Sequence, residues 1–139
     1  MMSIQVDWKG GKAFEATSST GHKVMMDASS EVGGENRGSR PMEMLLMGLG
    51  GCSGIDVMLM LEKGKQDVKD CKMEITSERA DEIPSIYTKI HLHFTIVGND
   101  LNEKKVKRAV TLSAEKYCSV SKILEQTAEM THSYEIIGS

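Results

Sequence analysis

The sequence predicts an α+β domain in the order βββ-α-ββ-αα-β, with antiparallel sheets arranged around one long central helix. Three observations carry this. Short stretches that alternate apolar and polar residues occupy the first 27 positions, a single long apolar run follows at residues 41–62, and alternation then returns before giving way to helical spacing. A length of 139 residues sets the expectation of one domain, residues 1–139, with one core.

Taken in order, SIQVDWKG, KAFEAT and HKVMMD alternate and are separated by Gly-Gly and Ser-Thr-Gly, which predicts an antiparallel meander. Residues 28–40, ASSEVGGENRGSR, combine glycine, serine and charge without periodicity and are expected as a long exposed loop of the kind that borders sites. Pro41 suits a first helical turn, and residues 41–62 would form a rod about 33 Å long at 1.5 Å per residue. Its apolar residues, among them Met42, Leu45, Leu49, Ile55, Val57 and Leu61, fall on all sides, which predicts a central, buried helix. Four glycines, Gly48, Gly50, Gly51 and Gly54, cost that helix about 3–4 kcal/mol relative to alanine, so close approach by a backbone or a substrate is expected around Cys52.

Residues 70–79 and 86–97 are expected as a hairpin, the second strand, with IYTKIHLHFTIV, having one covered and one wetter face. DLNE opens a helix through a capping-box-like pattern from Asp100 to Glu103, with Val106, Val110, Ser113 and Tyr117 at helical spacing. A short helix at residues 119–126 and a closing strand at SYEIIG complete the order.

A net charge of −3 lacks the basic excess that phosphate backbones require, and aromatics at 4% offer few stacking surfaces, so nucleic acid is not an expected partner. The opening MMSIQVDWKG has no basic stretch followed by an apolar run, and no stretch reaches 18 uninterrupted apolar residues, so neither export nor membrane insertion is expected and a cytoplasmic location is. Three cysteines in such a chain are poorly explained as a disulfide framework, which leaves thiol chemistry or core packing. Cys52, inside the apolar run, and Cys118, opening CSVSKIL, are the candidates for chemistry; Cys71 reads as a small apolar filler. His91 and His93 share a strand face at a spacing compatible with a metal, but no third ligand adjoins them, and a half-exposed pair is the preferred reading.

RPMEMLLMGLGGCSGIDVMLMLEKG followed by EKYCSVSKIL resembles the OsmC/Ohr superfamily, and within it the YhfA-like branch. The resemblance covers nearly the whole chain. It implies an OsmC-like fold intertwined as a homodimer and a thiol-dependent peroxidase acting on organic hydroperoxides, without metal or bound organic cofactor. Cys52 would attack, Cys118 would resolve, and an external dithiol would reset the pair. Ser119 replaces the proline that usually follows the second cysteine. Met42 stands where the peroxidase branches carry a glutamate, which leaves Arg37, Arg40 and Glu43 as the candidates to support the thiolate. A second reading keeps the fold and the cysteines in a protein that binds an apolar small molecule or responds to redox state without efficient turnover.

Overall fold

The structure, a computed structural model, describes residues 1–138. The chain packs as two compact units, one over residues 1–47 and one from residue 48 onward.

In the first unit, β1 (Gln5–Trp8), β2 (Phe14–Thr17) and β3 (Lys23–Met26) form the expected antiparallel sheet in the order β1-β2-β3. Gly10 and Gly11, with φ of 94° and 56°, supply the left-handed turn between β1 and β2 that a side chain would resist. Residues 28–40 form the expected loop, mostly exposed and with no residue buried. Their backbone is gathered onto buried Asp27, which accepts the N–H groups of Ala28, Glu35 and Arg37. A 3-10 turn at Ser30–Val32 compacts the loop further, and a Cβ at Gly34 would overlap the Ala28 carbonyl. Composition signalled a loop; one carboxylate with several backbone donors gives it order.

The helix α1 spans Pro41–Lys63 and runs unbroken through its glycines. Cβ atoms at Gly50 and Gly54 would come within 3.2 Å and 3.3 Å of the Ile75 and Met73 side chains, whereas Gly48 and Gly51 face open space. The close approach is therefore made by side chains of the neighbouring strand at two of the four glycines. The expected all-round burial is corrected as well: Leu49, Ser53, Val57 and Leu61 form one buried stripe at four-residue spacing, while Leu45, Met47, Ile55, Met58 and Leu59 stay exposed. Among the described residues α1 is the one helix long and apolar enough to cross a membrane, a test that core helices also pass. Glycine, serine and Asp56 interrupt the apolar run of α1, which keeps every uninterrupted apolar stretch short of 18 residues.

In the second unit, β4 (Asp67–Arg79), β5 (Tyr87–Asn99) and β6 (Glu129–Gly138) make a sheet in the order β4-β5-β6. The β4–β5 hairpin is antiparallel as expected, but β5 and β6 are parallel. The expectation of purely antiparallel sheets fails here for a physical reason: residues 100–128 form a long crossover, and crossovers of a dozen or more residues bring the chain back in the same direction. Ile90, Leu92, Phe94 and Ile96 put the covered face of β5 into the core, and His91, His93 and Thr95 sit half-buried on the other face. The crossover begins with α2 (Glu103–Leu112), which buries Val106, Ala109 and Val110. Its cap is Asn102, whose side chain accepts the Lys105 N–H at 3.1 Å, rather than Asp100, which has a φ of 50°. A π-helical turn, Ser113–Tyr117, and the short helix α3 (Ser119–Leu124) follow.

Candidate functional site

The two candidate cysteines reach one place in the second unit from separate elements. Cys52 lies half-buried on α1, and Cys118 is buried at the start of α3. The π turn sets the second position. The Cys118 N–H bonds back to the Ser113 carbonyl at 2.9 Å, so the turn holds one residue more than an α-helical turn before the chain breaks into α3. The Cys52 and Cys118 sulfurs and a carboxylate oxygen of Asp56 all lie within 4.8 Å of one another. All three cysteines are free thiols, and a disulfide would require the two sulfurs to close to about 2.05 Å.

Serines surround the buried sulfur. The Ser53 hydroxyl donates to Cys118 Sγ at 3.2 Å, and the Ser121 N–H donates to it at 3.4 Å. Buried Ser113 has its hydroxyl 3.2 Å from the Ser53 carbonyl and 3.4 Å from Asp56 Oδ2. The start of α3 offers a Cys118 anion a backbone donor. Its N–H contact is present, yet the thiol is pushed up from its ordinary value because burial outweighs the Ser53 and Ser121 bonds, with Cys52 raising it further. Sulfur is a weak acceptor, and two long contacts do not replace hydration.

The other candidates belong to the first unit. Arg37 donates through Nη1 to the Lys9 carbonyl at 3.1 Å, and Arg40 donates through Nη1 to the Gly38 carbonyl at 3.1 Å and to Asn36 Oδ1 at 3.2 Å. Glu43 Oε1 accepts the Arg40 N–H at 2.9 Å, the half of a capping box in which a third-position glutamate reaches back over a helix start. Together these three line an open pocket of about 530 Å³ with Asn36, Gly38 and Ser39.

His91 and His93 meet hydroxyls and a carboxylate of β6. His91 Nδ1 is 2.6 Å from Thr131 Oγ1, Ser133 Oγ sits 2.9 Å from His91 Nε2 and 2.7 Å from His93 Nδ1, and His93 Nε2 is 3.1 Å from Glu135 Oε1. Among the described residues the one group of three close potential metal ligands is Cys52, Asp56 and Cys118, and it contains no histidine. Cys71 sits half-buried in β4 with its thiol raised first by burial and then by Asp70, in keeping with a filler.

The sequence reading did not pick out Asp56, Ser53, Ser113 or Ser121. Asp56 carried a usable signal, because a residue four positions after Cys52 shares its helix face. Ser121 carried one too, because the third residue past a cap donates its N–H to the capping side chain; Ser53 and Ser113 carried none, since only the tertiary fold brings α1 against the crossover.

An OsmC-like protein family model matches residues 34–133, a stretch that includes both cysteines. The chain belongs to the OsmC-like family. It is similar to the protein YhfA of Escherichia coli K12, with 48% identity over 138 residues that cover 99% of this OsmC-like chain and 100% of YhfA. A solved structure of a hypothetical protein from Aquifex aeolicus superposes with a TM-score of 0.87 at 32% identity, over 100% of this chain and 98% of that one. The organic hydroperoxide resistance protein OhrB of Bacillus subtilis shares the fold, with a TM-score of 0.64 at 18% identity over 97% and 98% of the two chains.

Proposed function

We propose that this OsmC-like protein is a thiol-dependent peroxidase for organic hydroperoxides. The observation that carries this reading is the approach of Cys52 and Cys118 to within 4.8 Å from elements far apart in the sequence. The Cys52 thiolate attacks the outer peroxide oxygen, the O–O bond breaks, and the alcohol leaves with a proton, so that the sulfur becomes a sulfenic acid and the peroxide is reduced. The Cys118 thiol then displaces water to form the disulfide, and an external dithiol restores both thiols by exchange. The shared fold of the organic hydroperoxide resistance protein OhrB is in keeping with this chemistry.

Arg37 or Arg40 would supply the positive charge that favours the thiolate, with Glu43 as the partner carboxylate. The apolar face of α1 left open by Leu45, Met47, Ile55, Met58 and Leu59 supports assembly as a homodimer. Three free thiols suit a reducing compartment, and the reading assigns the protein to the cytoplasm.

Stopped-flow mixing of reduced protein with an organic hydroperoxide tests the assignment. The expected result is loss of two thiols per equivalent of peroxide and at least 100-fold slower consumption for Cys52→Ser; unchanged consumption in that variant, with a competent dithiol present, overturns it. The second reading, a ligand-binding or redox-responsive protein with little turnover, draws support from Met42 and from the carboxylate, Asp56, beside the sulfurs. A co-purified apolar molecule together with a negligible peroxidase rate would decide for it.

A further inference from the structure

The two sulfurs do not stand alone. Asp56 follows Cys52 by one helical turn on α1, and its carboxylate oxygen lies within 4.8 Å of both thiols. Two sulfurs and a carboxylate oxygen thus form one cluster. As a ligand set it is coherent. Tetrahedral zinc, with Zn–S near 2.3 Å and Zn–O near 2.0–2.2 Å, separates its donors by roughly 3.5–3.8 Å, and about 1 Å of side-chain rotation would bring these three atoms to that spacing.

The surroundings fit the same role. Ser113 reaches Asp56 Oδ2 at 3.4 Å, and Ser53 and Ser121 donate to Cys118 Sγ at 3.2 Å and 3.4 Å; such contacts orient ligands and stabilise the deprotonated sulfur once a cation is present. Cys118 is buried, whereas Cys52 and Asp56 are only half-buried, so the group is closed on one side and open on the other. Asp56 also borders a cavity of about 750 Å³ that carries Lys63, Lys105 and Arg108 and that neither cysteine lines, so the cation's place is the cluster itself and not this cavity.

We propose that Cys52, Asp56 and Cys118 form a three-ligand site for a thiophilic divalent cation, Zn²⁺ foremost. Binding deprotonates two thiols and releases two protons per ion; the carboxylate supplies the third donor. The site shares its sulfurs with the proposed peroxidase but does not depend on turnover. A bound cation occupies the electron pairs that would attack peroxide, and a Cys52–Cys118 disulfide removes the site, so metal binding and oxidation exclude each other.

Titration of reduced, metal-free protein with Co²⁺, followed by displacement with Zn²⁺, tests the proposal. The expected result is one Co²⁺ per chain, a near-ultraviolet sulfur-to-cobalt charge-transfer band, and two protons released. Cys52→Ser and Cys118→Ser should each remove about half of that band, and Asp56→Asn should keep it while weakening affinity at least tenfold. Circular dichroism of each variant confirms that folded protein is compared, and Cys52→Ser, at the half-buried position, stands as the test by itself if Cys118→Ser does not fold. Absence of the band with both thiols reduced, a band indifferent to Cys52→Ser, or wild-type affinity in Asp56→Asn overturns the site. Peroxide consumption by the metal-free protein separates the two readings: cobalt binding without peroxidase activity defeats only the enzyme, and the reverse defeats only the metal site.

Discussion

Asp27 and Cys118 are both buried ionisable groups that accept N–H bonds, and they move in opposite directions. The Asp27 carboxyl is held below its ordinary range, first by the Glu35 N–H and then by those of Arg37 and Ala28, whose donation outweighs burial. The Cys118 thiol is pushed up because burial outweighs one hydroxyl and one N–H at 3.2 Å and 3.4 Å. Burial alone does not decide whether a group ionises; the number of donors and the acceptor strength of the atom do. Asp27 spends its charge on organising the 28–40 loop, whereas Cys118 is kept as a neutral thiol until oxidation or a cation recruits it.

The strongest way to break this contrast is Asp27→Ala. Without the carboxylate, three backbone N–H groups lose their acceptor, and amide exchange at Glu35 and Arg37 should speed up at least tenfold, with the lowest urea midpoint of the variants considered. Unchanged exchange would show that the loop is ordered by something else.

Alkylation sharpens the contrast from the sulfur side. Near neutral pH, iodoacetamide should modify half-buried Cys52 roughly tenfold or more faster than buried Cys118, as read by mass spectrometry of the labelled peptides. The Cys118 rate should climb only above pH 9, since its folded value is raised.

The stability profile against pH should show both groups. A lowered folded pKa makes the Asp27 contribution present above the ordinary carboxylate value, near 3.8, and lost as pH falls through its depressed value; Asp27→Asn should flatten part of that acid limb. A raised folded pKa makes the Cys118 contribution present below pH 9.0 and lost as pH rises through the folded value. Chemical denaturation across pH 2–11 measures both limbs; Cys71, also raised, adds to the alkaline limb, so a limb of unchanged size in Cys118→Ala would contradict the assignment.

The smallest effect is expected from Ser53→Ala, which removes the hydroxyl that donates to Cys118. It should cost about 0.5–1.5 kcal/mol in denaturant titrations and slow Cys118 alkylation further, because that bond favours the anion.

Much of the architecture was legible because it rests on local periodicity. Alternation located all three strands of the meander and the β4–β5 hairpin, and the apolar run with Pro41 at its head located α1 to within one residue of Lys63. The OsmC-like resemblance, carried by the two cysteine motifs, brought Cys52 and Cys118 together before any coordinates did. The cap at Asn102 was missed by two positions because Asp100 offers the same chemistry and only the observed backbone, left-handed at Asp100, separates them.

What the sequence by itself determined is therefore the list of elements, their order and the cysteine pair, because these follow from side-chain spacing along the chain and from motifs. The tertiary structure alone decided that β6 runs parallel to β5, that α1 buries a single stripe, that Asp27 gathers its loop, and that Asp56 and three serines stand beside the sulfurs. Each of these depends on which remote segments meet and how much water they exclude, and neither quantity is written in local periodicity.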